Sequence, residues 1–115
     1  MEQGYVQETG IPGLVTLHLR VEEDQQGWFL EGWHAERLAE HGVTGFAPVQ
    51  LNARHVNQRG VTAGFYAEPW DRLTAVADGR IMGAWVDLRP GPGYGRTATA
   101  GLARGQAVFI PRGVA

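Results

Sequence analysis

Gly60-Val61-Thr62-Ala63-Gly64-Phe65-Tyr66-Ala67-Glu68-Pro69-Trp70-Asp71-Arg72, with Asp78-Gly79 and Trp85-Val86-Asp87-Leu88-Arg89 close behind, decides how this chain reads. The Val61–Tyr66 run is apolar and β-branched, is closed by Pro69, and is followed by two further apolar runs on either side of an Asp-Gly pair. Short runs of this kind, bounded by Gly, Pro and Asp, are strand signals. Asp-Gly between two of them signals a hairpin, because both residues tolerate the positive φ of a tight turn. The stretch predicts strands over Val61–Tyr66, Arg72–Ala77 and Arg80–Leu88, with Asp78-Gly79 as the hairpin turn between the last two.

Outward from that stretch the pattern continues. Strands are expected at Ala47–Val56, Arg96–Ala100 and Ala107–Ile110, and Pro90-Gly91-Pro92-Gly93 has to be an exposed turn because proline cannot donate to a central ladder. Toward the N-terminus, Leu14-Val15-Thr16-Leu17-His18-Leu19-Arg20 alternates like a strand, Glu22–Gly27 reads as a polar turn, and Trp28–Trp33 reads as a short aromatic strand. The one helix signal lies between His34 and His41, with Ala35, Leu38 and Ala39 on one face and Gly42 as the stop. Residues 1–13, polar and broken by Gly10, Pro12 and Gly13, are expected to form an N-terminal arm, and residues 14–115 a single domain. Many short strands with one short helix predict an all-β sandwich or barrel.

Composition narrows the function classes. Hydrophobic residues make up 43% of the 115 and charged residues 19%, which is ordinary for a globular chain. A net charge of −2 without a basic stripe argues against nucleic acid as a partner. The absence of cysteine excludes disulfides, thiolate metal sites and cysteine nucleophiles. No apolar run reaches the length of a membrane span, and Met1-Glu2-Gln3-Gly4 lacks the basic and apolar regions of a secretory signal, so no membrane partner and a cytoplasmic location are expected. The four histidines, His18, His34, His41 and His55, contain no His-x-His pair, so neither a metal nor another cofactor is expected. Gly91, Gly93 and Gly95 have interleaved prolines and no helix after them, so they read as a turn and not as a phosphate loop.

Taken together, these motifs resemble the dTDP-4-dehydrorhamnose 3,5-epimerase family, over a span from about Val15 to the end. The likeness is closest to the variant with Ala67-Glu68-Pro69-Trp70-Asp71 in this place, which is sometimes fused to a reductase domain. The resemblance implies a cupin-like antiparallel β-barrel or jelly roll, with room for one left incomplete in a single copy. It also implies a dTDP-sugar or related nucleotide sugar as ligand. Asp24-Gln25-Gln26-Gly27-Trp28-Phe29-Leu30-Glu31 matches an early family motif in which Phe29 and Glu31 face the nucleotide base, with Gln26 in place of an arginine. Gln50-Leu51-Asn52 matches a Gln-x-Asn that contacts substrate. These side chains read equally as ordinary strand residues bonded to their neighbours. Asp87 matches a further motif position, where a structural ion pair and a role in the site are both open. Phe109–Ala115 matches the start of an Ile-Pro-x-Gly-x-Ala motif. Family members continue beyond it through strands bearing a tyrosine acid and a carboxylate, so a fragment of a longer product is one expectation.

The departures fall on the chemistry. Where the family reads Gly-Val-x-Arg-Gly-x-His, this chain has Ala63 in the arginine slot and Tyr66 in the slot of the histidine base. Arg72 stands where a lysine usually lies near the developing enolate oxygen. Epimerisation beside a ketone needs a base, a group that returns the proton to the other face, and a positive charge near the oxygen. Imidazole, which ordinarily titrates at about 6.5, is available as a base near neutrality, whereas a phenol at about 10 is almost wholly protonated. Arg72 keeps the charge but not the geometry of an ammonium. Phosphate affinity is expected to fall, since the slots at Ala63 and Gln26 have each lost a charge-assisted contact of about 1.5–3 kcal/mol. His55, near the expected barrel mouth, is the histidine to test as a substitute, against the plainer reading of a surface residue. Trp28, Trp33, Trp70 and Trp85 stack on ligand or fill the core.

Two functions follow. One is an isomerase carrying out 3,5-epimerisation on a dTDP-4-keto-6-deoxy sugar, with Tyr66 and Arg72 catalytic and Phe29, Glu31, Gln50, Asn52 and Ala63 lining the binding site. The other is a catalytically degenerate module that holds a sugar nucleotide or supports assembly in a deoxysugar pathway. Bare strand edges predict a homodimer.

Overall fold

Gln106-Ala107-Val108-Phe109-Ile110 carries no polar side chain after its first residue, the pattern of a strand covered on both faces. In the structure of the chain, a computed structural model that describes residues 6–115, this run is β8 (Gln106–Ile110) and it lies at the centre of the molecule. It pairs antiparallel with β2 (Val15–His18) on one side and with β5 (Arg72–Ala75) on the other. β1 (Val6–Glu8) completes this sheet, in the order β1-β2-β8-β5. Two further antiparallel pairs are present, β3 (Val21–Asp24) with β4 (Gly27–Leu30), and β6 (Arg80–Val86) with β7 (Thr97–Ala103). The fold is all-β and cupin-like, with one short helix, α1 (Ala35–Glu40).

Side-chain alternation along β8 divides the interior in two. Val108 and Ile110 face a core built with Ile11, Leu14, Val76, Trp85, Leu102 and Val114, which fills the space toward β6 and β7. Ala107 and Phe109 face the opposite core, with Leu17, Leu19, Leu38 and Val43. Register agrees with this division, because Leu17 stands opposite Ala107 and Val15 opposite Phe109, placing like residues on one face. The Phe109 ring meets Phe46 edge to face, with centroids 5.5 Å apart.

Local signals for α1 act as read. His34 caps the helix by accepting from the Arg37 amide at Nδ1, 3.3 Å away. Gly42 ends it with φ of +91°, a value open to glycine at little cost. Leu38 is the buried residue that attaches the helix to the second core.

Four expectations need correction. Residues Ala47–Val56 and Val61–Tyr66 form no strand: residues 47–67 are exposed throughout, and no sheet edge among the described residues pairs with 47–66. Their alternating apolar side chains have no second layer to cover, and alternation alone does not supply a partner. Glu22–Gly27 is not all turn, because Val21–Asp24 pairs with Gly27–Leu30 and leaves only Gln25-Gln26 as the connection. Asp78-Gly79 does not close a hairpin: β5 pairs with β8 and β6 with β7, so the turn carries the chain from one sheet to another. Within the expected N-terminal arm, Val6–Glu8 pairs with β2, and Met1-Glu2-Gln3-Gly4 lies outside the described residues.

Candidate functional site

Arg72 opens β5 and reaches back over the segment that precedes it. Its Nη2 donates to the Tyr66 carbonyl at 3.1 Å and to the Val114 carbonyl at 2.8 Å, while its Nε is buried without an acceptor among the described residues. Gly113 donates its amide to the Glu68 carbonyl at 3.0 Å, and the Asp71 carboxylate accepts from the Arg112 amide at 2.9 Å. The stretch that carries Tyr66 is thereby tied to the last residues of the chain. Those residues are tied in turn to the end of β6, through reciprocal bonds of 2.9 Å between Val86 and Ala115 and a bridge between Asp87 and Val114.

Asp87 anchors this corner. It is 3% exposed, and both carboxylate oxygens are used: Oδ1 accepts from the Arg89 amide at 3.0 Å and from Arg89 Nε at 2.9 Å, and Oδ2 accepts from Nη2 at 3.1 Å. Those side-chain hydrogen bonds hold its carboxyl below the usual range, against the opposing effect of burial. Arg89 also donates to the Pro12 carbonyl at 2.6 Å. Asp87 is therefore engaged in a structural ion pair. Asp71 is lowered in the same way by Arg112.

Other candidate residues lie apart from this group. Phe29 is exposed on β4. Glu31, just past β4, accepts from Arg37 Nε at 2.7 Å and Nη2 at 3.1 Å, a bidentate pair that lowers its pKa and fastens the hairpin to α1. Arg37 is a partner that sequence reasoning missed, and the six-residue spacing across a helix start offered no standard signal for it. Gln50 Nε2 donates to Asn52 Oδ1 at 3.3 Å, and both lie on the exposed segment with Ala63, His55 and Tyr66. The structure thus brings together the Tyr66 backbone, Arg72 and Val114. Phe29 and Glu31 stand on a separate hairpin. Trp85 belongs to the core, while Trp28, Trp33 and Trp70 are exposed. Among the described residues there is no group of His, Asp and Glu able to hold a metal, and no helix is long and apolar enough to cross a membrane.

Residues 8–115 match the family model described as dTDP-4-dehydrorhamnose 3,5-epimerase. This chain belongs to the dTDP-4-dehydrorhamnose 3,5-epimerase family. Over 109 residues it is 38% identical to the protein RmlC homolog of Streptococcus pyogenes serotype M6, covering 91% of this chain and 55% of that protein. The structure of RmlC from Streptococcus suis in complex with dTDP-D-xylose superposes with a TM-score of 0.82 at 29% identity, over 98% of this chain and 61% of that one. For fold alone, the dTDP-4-dehydrorhamnose 3,5-epimerase of Bacillus anthracis, solved with TDP and PPi bound, gives a TM-score of 0.73 at 23% identity, over 96% of this chain and 67% of that one. The chain therefore spans a little over half the length of these two streptococcal relatives.

Proposed function

We propose that this chain binds a dTDP-linked 4-keto-6-deoxy sugar for deoxysugar biosynthesis, as an epimerase-family domain whose own residues do not supply the epimerising base. The single observation that carries this reading is Tyr66. By the family resemblance it stands in the slot of the histidine, the residue is 62% exposed, and Arg72 beside it donates to two backbone carbonyls. An exposed phenol whose neighbouring guanidinium is engaged with backbone carbonyls is not held in place to take a proton from a sugar carbon. Ala63 offers no charge to phosphate. Phe29 with Glu31, and Gln50 with Asn52, are the residues assigned to base and sugar.

The Streptococcus suis relative supports the ligand class, since it was solved with dTDP-D-xylose. A second reading, full 3,5-epimerisation, is favoured by the retained positive charge at Arg72, whose buried Nε has a hydrogen to offer to an incoming oxygen. Calorimetry with dTDP and deuterium incorporation at C3 and C5 of a dTDP-4-keto-6-deoxy sugar separate the readings. Binding without exchange above background is expected. Exchange at rates above background overturns the degenerate reading, and absence of nucleotide binding overturns the proposal. A cytoplasmic setting and a homodimer belong to the same proposal. The exposed apolar side chains of Val49 and Leu51 support the dimer.

A further inference from the structure

Arg104, at the turn between β7 and β8, gathers four contacts from two other parts of the chain. Its Nε donates to the Ala77 carbonyl at 3.1 Å, its Nη2 to Asp78 Oδ1 at 2.5 Å, and its Nη1 to Glu23 Oε1 at 3.0 Å. The guanidinium carbon also lies 4.6 Å from the centre of the Trp28 ring. Ala77 and Asp78 belong to the turn after β5, while Glu23 and Trp28 belong to the β3–β4 hairpin. From this geometry we infer that Arg104 is a positioning residue, holding the β3–β4 hairpin in the orientation that presents Phe29.

Little else among the described residues steadies that hairpin. Among the described residues β3 and β4 pair only with each other, and a two-stranded sheet standing alone is marginal in water. Its base is secured: Leu19 donates to the Gly105 carbonyl at 2.7 Å, and Glu31 is bound to Arg37. Val21 packs so closely on Gly105 that a Cβ there would lie 2.4 Å from its methyl group. Toward the tip, the connection to the body runs through Arg104. Glu23, Trp28 and Phe29 together border a concavity of ≈ 290 Å³, so the groups that Arg104 grips share a surface with the residue assigned to the nucleotide base. Glu22, Glu23 and Asp24 make that surface acidic, which opposes an anionic ligand. By pairing with Glu23, Arg104 also offsets part of that charge. Exposed ion pairs are individually weak, but a planar fork that binds two carboxylates and a carbonyl while stacking on indole combines several small terms in one place.

This inference rests on the nucleotide reading for its effect on binding, and on the fold alone for its effect on the hairpin. The test uses the full chain, with Arg104→Ala, Arg104→Lys and Glu23→Gln, followed by amide hydrogen exchange and by calorimetry with dTDP. For Arg104→Ala, exchange across residues 22–30 is expected to quicken about five- to tenfold while β8 is unchanged, with dTDP affinity falling by a similar factor. Lysine keeps the charge but neither the fork nor the stacking, so Arg104→Lys should restore only part of either signal. Combined with Glu23→Gln, the losses should be non-additive, which a general loss of stability does not produce. Unchanged hairpin exchange in Arg104→Ala overturns the inference, as does an equal acceleration in β8. A wild-type chain that binds dTDP with an affinity insensitive to Arg104→Ala overturns the binding role. Failure of the wild type to bind dTDP instead removes the nucleotide reading, and the exchange result then decides the clamp by itself.

Discussion

Tyr66 and Asp87 show how differently a single side chain is constrained in this molecule. Tyr66 has an exposed ring, so its replacement is governed by chemistry and not by packing. If it truly holds the base slot, Tyr66→His combined with Ala63→Arg restores an imidazole and a phosphate partner. General base catalysis is worth about 10²–10⁴-fold, so deuterium exchange into a dTDP-4-keto-6-deoxy sugar should rise at least about a hundredfold over wild type. An unchanged rate in a folded double variant would place the base elsewhere. Asp87 is the opposite case, buried and fully bonded to Arg89. Its folded pKa lies below the unfolded value of about 3.9, so the native state resists protonation and is favoured wherever the carboxylate is ionised. That contribution is complete above about pH 4 and disappears as the pH falls through the lowered folded value; Glu31 and Asp71 act with the same sign. Asp87→Asn should cost about 2 kcal/mol at neutral pH and make urea stability flatter below pH 4, as measured by denaturation across pH.

Strands and turns were legible where the information is local. β2, β4, β8 and α1 follow from alternation, apolar runs and caps, all contained within a few neighbouring residues. Legibility ended where pairing depended on distant chain. Val21–Asp24 is polar enough to read as a turn, yet it is a strand because Gly27–Leu30 returns alongside it. Asp78-Gly79 has the chemistry of a hairpin, but β8 outcompetes β6 for β5. The candidate site divides in the same way. The spacing from Tyr66 to Arg72 is read directly and the structure keeps the two in contact, whereas Arg37 and Arg104 act on residues that only the fold brings near. β6 supplies a further case at this scale. Gly83 and Trp85 lie on one face of the strand, and the indole covers the glycine so closely that a Cβ would stand 2.2 Å from the ring. The ring forms part of the first core, so it cannot yield without disturbing Leu102 and Val108. Gly83→Ala should therefore destabilise by about 2 kcal/mol through overpacking, seen as a lower urea midpoint with an unchanged slope. Neutral behaviour would mean that the ring has room to move.

At the scale of the whole molecule, the unusual feature is the unequal distribution of cover. β8 is enclosed on both faces, while the segment from residue 47 to residue 67 is exposed along its length. Val49 and Leu51, exposed to 99% and 94%, alternate with Gln50 and Asn52, the pattern of a strand meant to cover one face. β5 ends its sheet, with an edge available for pairing. A second copy of the chain that covered this segment would bury side chains worth about 1.5–3 kcal/mol each. Val49→Asp with Leu51→Asp separates that role from folding. Because both side chains already face solvent, the monomer's own stability should change by no more than about 0.5 kcal/mol. Self-association should weaken by at least about a hundredfold, measured by sedimentation equilibrium over a range of concentrations. A wild-type chain that sediments as a monomer at every concentration, or a double variant that associates as the wild type does, would show that the apolar pattern serves something other than a second copy.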